Sequence, residues 1–281
     1  MRTVLAVANQ TIGGQSLIDA VLEKAGGADE AHQARVIICV PRAVPTHGNI
    51  IYDDAVYDAA QVRIDLARGF LRQRGVEAVG DVGDPDPYTA TMDAVAEWQP
   101  DEIIISTLPA QGSGWLRRDL IERITEATST PVTHVVTDLD EEGLPFKVTL
   151  VVANRTTRGE ELIDNLKQKA ADDQHLFIVV VPQEGGQGLA AQQARGRLSQ
   201  LRERARIAGL VLAGMVGDPD PYIAVMNALQ FFRVDDIVIS TLPETKSGWL
   251  RAHLVERVRK STNVPVEHIV AGATAEAAGS A

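Results

Sequence analysis

A single stretch of this chain occurs twice. Residues 83–136 read GDPDPYTATMDAVAEWQPDEIIISTLPAQGSGWLRRDLIERITEATSTPVTHVV, and residues 217–270 read GDPDPYIAVMNALQFFRVDDIVISTLPETKSGWLRAHLVERVRKSTNVPVEHIV. About 29 of the 54 aligned positions are identical without a gap, which marks a duplicated domain. Whatever folds one copy must fold the other. The chain is also its own two-sequence alignment, so positions that both copies kept can be weighed against those that drifted.

At 281 residues the chain suits two domains of ordinary size, each able to bury a core. Its net charge of −11 and the mixing of acids among its Lys and Arg residues argue against a nucleic-acid or anionic-membrane partner. The only cysteine, Cys39, sits in the apolar run Val36-Ile37-Ile38-Cys39-Val40 and reads as a buried strand residue. One cysteine builds no disulfide framework, as suits a reducing cytoplasm. The chain enters a strand directly at MRTVLAVANQ without a signal-peptide pattern, and no apolar run approaches the ~20 residues of a membrane span. A soluble, cytoplasmic protein is expected.

Val4–Ala8 reads as a buried strand ending in the turn Asn9-Gln10-Thr11-Ile12-Gly13-Gly14. Helical spacing follows through Leu17, Ile18, Val21 and Leu22. Arg35–Val40 is a second strand, stopped by Pro41, and a helix runs from Val56 through Leu71 to Gly75. Val76–Val82 is the third strand. Gly83-Asp84-Pro85-Asp86-Pro87 then turns the chain, with an aspartate to cap the next helix and a proline for its first turn. That helix runs from Tyr88 to about Trp98. Ile103–Ile105, apolar on both faces, is a central strand. A loop from Ser106 to Gly114, a helix from Trp115 to Thr128 and a strand Val132–Val136 complete the copy. The second copy repeats the order, with a loop after Pro182 that is seven residues shorter than the one after Pro41.

Each copy is therefore an α/β domain of the Rossmann-like type, a five-stranded parallel sheet with helices on both faces. The expected boundaries are 1–137 and 147–271, with an acidic linker at 138–146 and a disordered Ala/Gly/Ser-rich tail at 272–281. Ligands of such sheets bind beyond the carboxyl ends of the strands, at the switch point. Candidate ligand residues are Asn9, Thr11, Gly83, Asp84, Ser106, Thr107, Gly114, Trp115 and Arg117. Their counterparts are Asn154, Thr156, Gly217, Asp218, Ser240, Thr241, Gly248, Trp249 and Arg251.

Two readings of this set stand side by side. Backbone N–H groups of a small-residue loop entering a helix can hold an anion, to which a nearby arginine adds charge. Equally, Ser and Thr can end the strand, Pro and Gly can shape the turn, and Ser113 or Ser247 can cap the helix. The retained Trp115 and Trp249 can stack on a base or pack the helix onto the sheet. Glu122-Arg123 and Glu256-Arg257 are adjacent on a helix, do not face each other, and are expected to pair with other elements. No Walker lysine loop, G-x-S-x-G elbow, HExxH or paired CxxC is present. Asp119 is matched by His253, and His32, His47 and His175 have no partner at metal spacing.

The repeats resemble the universal stress protein family over nearly all of both copies. The likeness rests on strand order, on the G-D-P after strand three, on D-[ED]-I-[IV]-I-S, and on L-R-x-x-L-[IV]-E-R in the last helix. It implies an open five-stranded α/β domain that pairs through its last strands and, in many members, binds ATP. This chain departs from the nucleotide-binding members. Ser106, Thr107 and Pro109 stand where their glycine-rich loop opens, Arg118-Asp119 and Ala252-His253 replace its G-S, and Asn9 and Asn154 replace an aspartate. The resemblance implies a non-enzymatic stress-response or regulatory protein, with ATP, another nucleotide or a small anion as candidate ligand in each copy. The alternatives are a pure interaction module, or a nucleotide-processing enzyme on the same scaffold, whose His-x-Gly-His or Ser-Gly-Gly marks are absent. Antiparallel pairing of 132–136 with 266–270 in one continuous sheet would bring His134 and His268 together. A further homodimer is compatible with it.

Overall fold

The central strand of each copy is apolar on both faces, and each copy builds its own parallel sheet around it. The computed structural model describes residues 2–26, 34–43, 53–109, 115, 119–183, 189–243, 248–251 and 253–271. In the first copy β1 (Arg2–Val7) leads through a single 3₁₀ turn (Gln10–Gly13) into α1 (Gln15–Ala25). There follow β2 (Ala34–Pro41), α2 (Asp53–Gln73), β3 (Ala78–Gly83), α3 (Pro87–Trp98), β4 (Glu102–Thr107), α4 (Leu120–Ala127) and β5 (Val132–Val136). The second copy runs β6 (Lys147–Val152), a 3₁₀ turn (Arg155–Arg158), α5 (Glu160–Asp172), β7 (His175–Pro182), α6 (Leu189–Ile207), β8 (Val211–Gly217) and α7 (Pro221–Phe231). It ends with β9 (Asp236–Thr241), α8 (Gly248–Arg251), α9 (Leu254–Ser261) and β10 (Val266–Val270).

The strand orders are β3-β2-β1-β4-β5 and β8-β7-β6-β9-β10, all parallel. Both are five-stranded α/β sheets of one topology, and the switch points fall between β1 and β4 and between β6 and β9. Alternation along β1 divides the core of the first copy. Val4, Ala6 and Ala8 pack with Leu17 and Val21 of α1 and with Ala60 and Ile64 of α2. Leu5 and Val7 pack on the opposite face with Ala90 and Ala94 of α3 and with Leu120 and Ile124 of α4. Cys39 is buried among the latter, its thiol pushed up to about 12 by burial and by Asp81 and Asp93. It is a packing residue, and its thiolate is strongly disfavoured.

One expectation is corrected. The helix expected over Trp115–Thr128 is interrupted at Asp119, whose left-handed conformation (φ 49°) precedes α4. His253 does the same before α9 (φ 52°), so a drifted position keeps one backbone shape with two residue types that tolerate it. The connection after β5, expected as a plain linker, is tied into the first unit. Asp138 Oδ1 accepts from the N–H of Asp140 (3.0 Å), and Glu142 bonds Ser16. Within its own unit each last strand bonds one neighbour, β5 to β4 and β10 to β9.

Gly83 and Gly217, both ligand candidates in the sequence, have a packing role. A Cβ on Gly83 would stand 2.6 Å from the Cβ of Ala90 and 3.0 Å from the Cys39 sulfur. On Gly217 it would stand 2.5 Å from Val180 Cγ1 and 2.8 Å from the Cβ of Ala224. The missing side chain lets the helix after β3 or β8 sit directly on the sheet. Gly83→Ala or Gly217→Ala should therefore cost about 1–3 kcal/mol as an overpacking change, measured by urea unfolding. A neutral result would mean that the helix is not seated there.

Candidate functional site

At their carboxyl ends the apolar strands become polar, and in both copies they do so with the same residues. Asn9, buried to 6% exposure, donates from Nδ2 to the carbonyl of Pro41 at 2.6 Å, joining the ends of β1 and β2. Thr11 Oγ1 donates to the Ser106 carbonyl at 3.4 Å and so closes the switch point to β4. The second copy repeats both contacts, Asn154 to Pro182 at 3.1 Å and Thr156 to Ser240 at 3.1 Å. Asn9, Thr11, Ser106 and Thr107 thus gather at one sheet edge, as do Asn154, Thr156, Ser240 and Thr241.

The hydroxyls at the ends of β4 and β9 separate the copies. Ser106 Oγ shares a 2.9 Å hydrogen bond with Thr137 Oγ1, the residue just after β5. The corresponding residue after β10 is Ala271, and Ser240 Oγ, in a residue 1% exposed, has no hydrogen-bond partner among the described residues. Thr107 Oγ1 pairs with His134 Nε2 at 2.9 Å, and Thr241 Oγ1 with His268 Nε2 at 2.8 Å. Each histidine is therefore engaged within its own copy, on the neighbouring strand. Burial pushes the His134 imidazole below its ordinary 6.5. For His268 burial acts first and Arg259 adds to it, against an opposing pull from Glu256.

The other candidates take different places. Asp84 and Asp218 each accept from a backbone N–H two residues on, at 2.8 Å, while Asp86 and Asp220 cap α3 and α7. Trp115 is half-buried and packs against the core cluster of Leu5, Ala90 and Leu120, the helix-packing role. Trp249 is likewise half-buried, and Gly248 is exposed with open space where a Cβ would stand. Gly114 and Arg117 lie outside the described residues, as does the side chain of Arg251. The arginines of the two E-R pairs stack on tyrosines, Arg123 over Tyr88 and Arg257 over Tyr222, each 4.2 Å from the ring centre. Among the described residues no group of three His, Cys, Asp or Glu side chains could hold a metal, and no helix is long and apolar enough to cross a membrane.

Sequence reasoning missed one participant. Arg197 of α6 donates from Nη1 to Asn154 Oδ1 at 2.7 Å, which fixes the amide between β7 and the helix. Arg63 stands at the corresponding place in α2, twenty residues before Gly83 as Arg197 is before Gly217. It is buried, and burial lowers its pKa to about 10. An arginine kept on the core side of two long helices was the available signal. The outer motif D-[ED]-I turns out to serve the opposite sheet edge. Asp101 accepts from Thr3 N (2.7 Å) and Asp235 from Val148 N (2.8 Å), while Lys24–Glu102 (2.6 Å) and Lys169–Asp236 (2.5 Å) form ion pairs beside them.

No protein-family model matches this sequence, and no curated protein matches it. Solved structures do. Among those similar to the chain is a universal stress protein from Archaeoglobus fulgidus DSM 4304, 14% identical, with 97% of each chain covered and a TM-score of 0.37. A universal stress family protein from Burkholderia pseudomallei is 21% identical and covers 47% of this chain and 93% of its own, with a TM-score of 0.33. One from Arabidopsis thaliana, described with AMP bound, is 15% identical, covers 50% of this chain and 95% of its own, and has a TM-score of 0.33. The fold itself rests on the strand order.

Arg197→Leu should leave Asn154 Oδ1 buried without that donor and cost about 1–3 kcal/mol. The loss should shrink in an Asn154→Ala background, and full additivity in that double-mutant cycle would deny the contact. The lowered histidine pKa values set a pH dependence. A folded state that favours neutral imidazole has its full stability above the unfolded value near ~6.5. It loses that contribution as pH falls through the lower folded values. Thermal melts between about pH 7 and pH 5 should fall in the wild type, and His134→Gln with His268→Gln should flatten the part of the slope due to these two groups.

Proposed function

We propose that the chain is a non-enzymatic, universal-stress-type protein that acts in the cytoplasm in a stress-response or regulatory role. It holds a nucleotide or small anion at the carboxyl edge of each sheet, between the loops that follow β1 and β4 and those that follow β6 and β9. The observation that carries this reading is the repeated set Asn9, Thr11, Ser106, Thr107 and Asn154, Thr156, Ser240, Thr241, buried at both switch points. Burying polar groups costs free energy unless they are bonded, yet both copies kept these while much of the rest diverged. The contacts described above hold the two loops at fixed separation, which a binding crevice needs. Their engagement with carbonyls suits wall-building more than nucleophilic chemistry, and this supports the non-enzymatic part.

A second reading has its own observation. Ser106, Thr107 and Thr241 hydroxyls are already bonded to Thr137, His134 and His268, as a purely structural edge would have them. An interaction module without a ligand would look the same there. Chromatography of what the purified protein releases on denaturation, with calorimetric titration of ATP, AMP and inorganic phosphate, separates the two. The expected result is a released nucleotide or saturable binding of one of these probes. A clean blank with no heat from any of them would overturn the ligand reading in favour of the interaction module.

A further inference from the structure

The two copies differ at the amino edge of the sheet, where the carboxylate that opens β4 or β9 is neutralised. In the first copy both oxygens of Glu102 are engaged. Arg2 and Lys24 (2.6 Å) pair with it, and Thr133 Oγ1 donates to Oε1 at 3.4 Å. Val4 on the neighbouring strand and Ala20 on α1 are apolar and belong to the core beside it. In the second copy Asp236 stands in place of Glu102, Lys169 in place of Lys24 and Glu267 in place of Thr133. Lys169 Nζ meets Asp236 at 2.5 Å and Glu267 at 3.0 Å, while Lys147, in place of Arg2, pairs with Asp235 at 3.3 Å. The cluster on Glu102 therefore has two cations to one anion, and the cluster on Asp236 has one cation to two anions.

The same place in the second copy has gained neutral oxygens. Thr149 replaces Val4, and Asn165 replaces Ala20. Register sets Thr149 between Phe177 of β7 and Asp236 of β9. Two residues further along their strands, Val151 and Val238 pack in the core with Leu162 and Leu166 of α5. Strand alternation therefore turns Thr149 and Asp236 to that same face, under the helix from which Lys169 reaches down. Thr149 is fully buried, and its Oγ1 has no hydrogen-bond partner among the described residues. Asp236 Oδ1 and Asn165 Oδ1 are buried and unpartnered as well. The Asn165 amide gives its Nδ2 to Glu267 Oε1 at 2.6 Å, so its oxygen is left over. Unpaired buried oxygens cost free energy, yet the first copy builds the corresponding place from valine and alanine.

We propose that Asp236, Thr149 and Asn165 form a monovalent-cation site of the sodium class under α5, at the amino edge of the second sheet. Carboxylate, hydroxyl and amide oxygens are the donors that hard cations take. One positive charge neutralises the excess anion of the Lys169, Asp236 and Glu267 cluster. A divalent ion would instead leave surplus positive charge beside the Lys169 ammonium. The ion serves Asp236 as Arg2 serves Glu102, neutralising the carboxylate next to the central strand. This site lies at the opposite sheet edge from the β6 and β9 loops, and it is independent of whether a nucleotide binds there.

The test uses the full chain, with sodium chloride replacing choline chloride at constant ionic strength. Wild type should show a saturable rise in Tm of about 2–4 °C in sodium, the shift of a modest binding energy in a chain of this size. It should also broaden the sodium NMR line. Thr149→Val with Asn165→Ala, which installs the residues of the first copy, should abolish both effects. Thr149→Val alone gives the same comparison if the double variant folds poorly. Asp236→Asn, which keeps the shape and removes the charge, should weaken both. Equal wild-type melts in the two salts, with no line broadening, mean that only water meets these oxygens and would overturn the proposal. So would a sodium response of wild-type size in the Thr149→Val, Asn165→Ala variant, which would place the ion elsewhere.

Discussion

Everything in each copy depends on a central strand that must be apolar on both sides. Val4 through Ala8 and Val148 through Ala153 lie between two layers of helices, and almost every side chain is withdrawn from water. Each fully buried aliphatic side chain contributes about 1.5–3 kcal/mol, and Thr149 is the one polar side chain in these two stretches. Polar chemistry is thereby driven to the strand ends. At the amino end it becomes the aspartate and lysine ion-pair work that anchors β4 and β9. At the carboxyl end it becomes the Asn, Thr and Ser set that spans the switch point.

The duplication shows which jobs the fold requires and which residues are free to perform them. A left-handed residue before the last helix is required, and Asp119 or His253 will serve. The first helix of each copy starts after a glycine, with the Glu142 carboxylate on Ser16 in one copy and Glu160 and Glu161 in the first turn in the other. A partner for the serine at the end of β4 is not required, since Ala271 leaves Ser240 without one. Conformational preference explains the first case, because few residues accept positive φ cheaply. Helix-end electrostatics explains the second, which can be met by any carboxylate that reaches the terminus.

Local pattern made much of this readable beforehand. Apolar runs such as Val36–Val40 and Ile103–Ile105 marked the buried strands, because no helix or half-exposed strand needs that composition. The paired Asp-Pro turns marked the starts of α3 and α7. The strand-end candidates Asn9, Thr11, Ser106 and Thr107 followed from topology, since a parallel sheet leaves only one edge for its loops. The packing of Gly83 against Ala90 and the bond from the Asp86 N–H to Asp84 were not legible, because glycine serves close packing as readily as ligand approach and aspartate serves a turn as readily as a ligand. Arg197 was missed because an arginine in a charged helix looks solvated until its neighbours are known.

What the sequence by itself determined was the duplication, the α/β class and the succession of strands and helices along the chain, because these follow from periodicity and chain connectivity. Tertiary structure alone decided which partners the polar groups found. His134 bonds Thr107 across a strand and Glu142 returns to Ser16, contacts between residues 27 and 126 positions apart. Hydrogen-bond partners depend on positions in space to within a few tenths of an ångström, and no spacing along the chain carries that information.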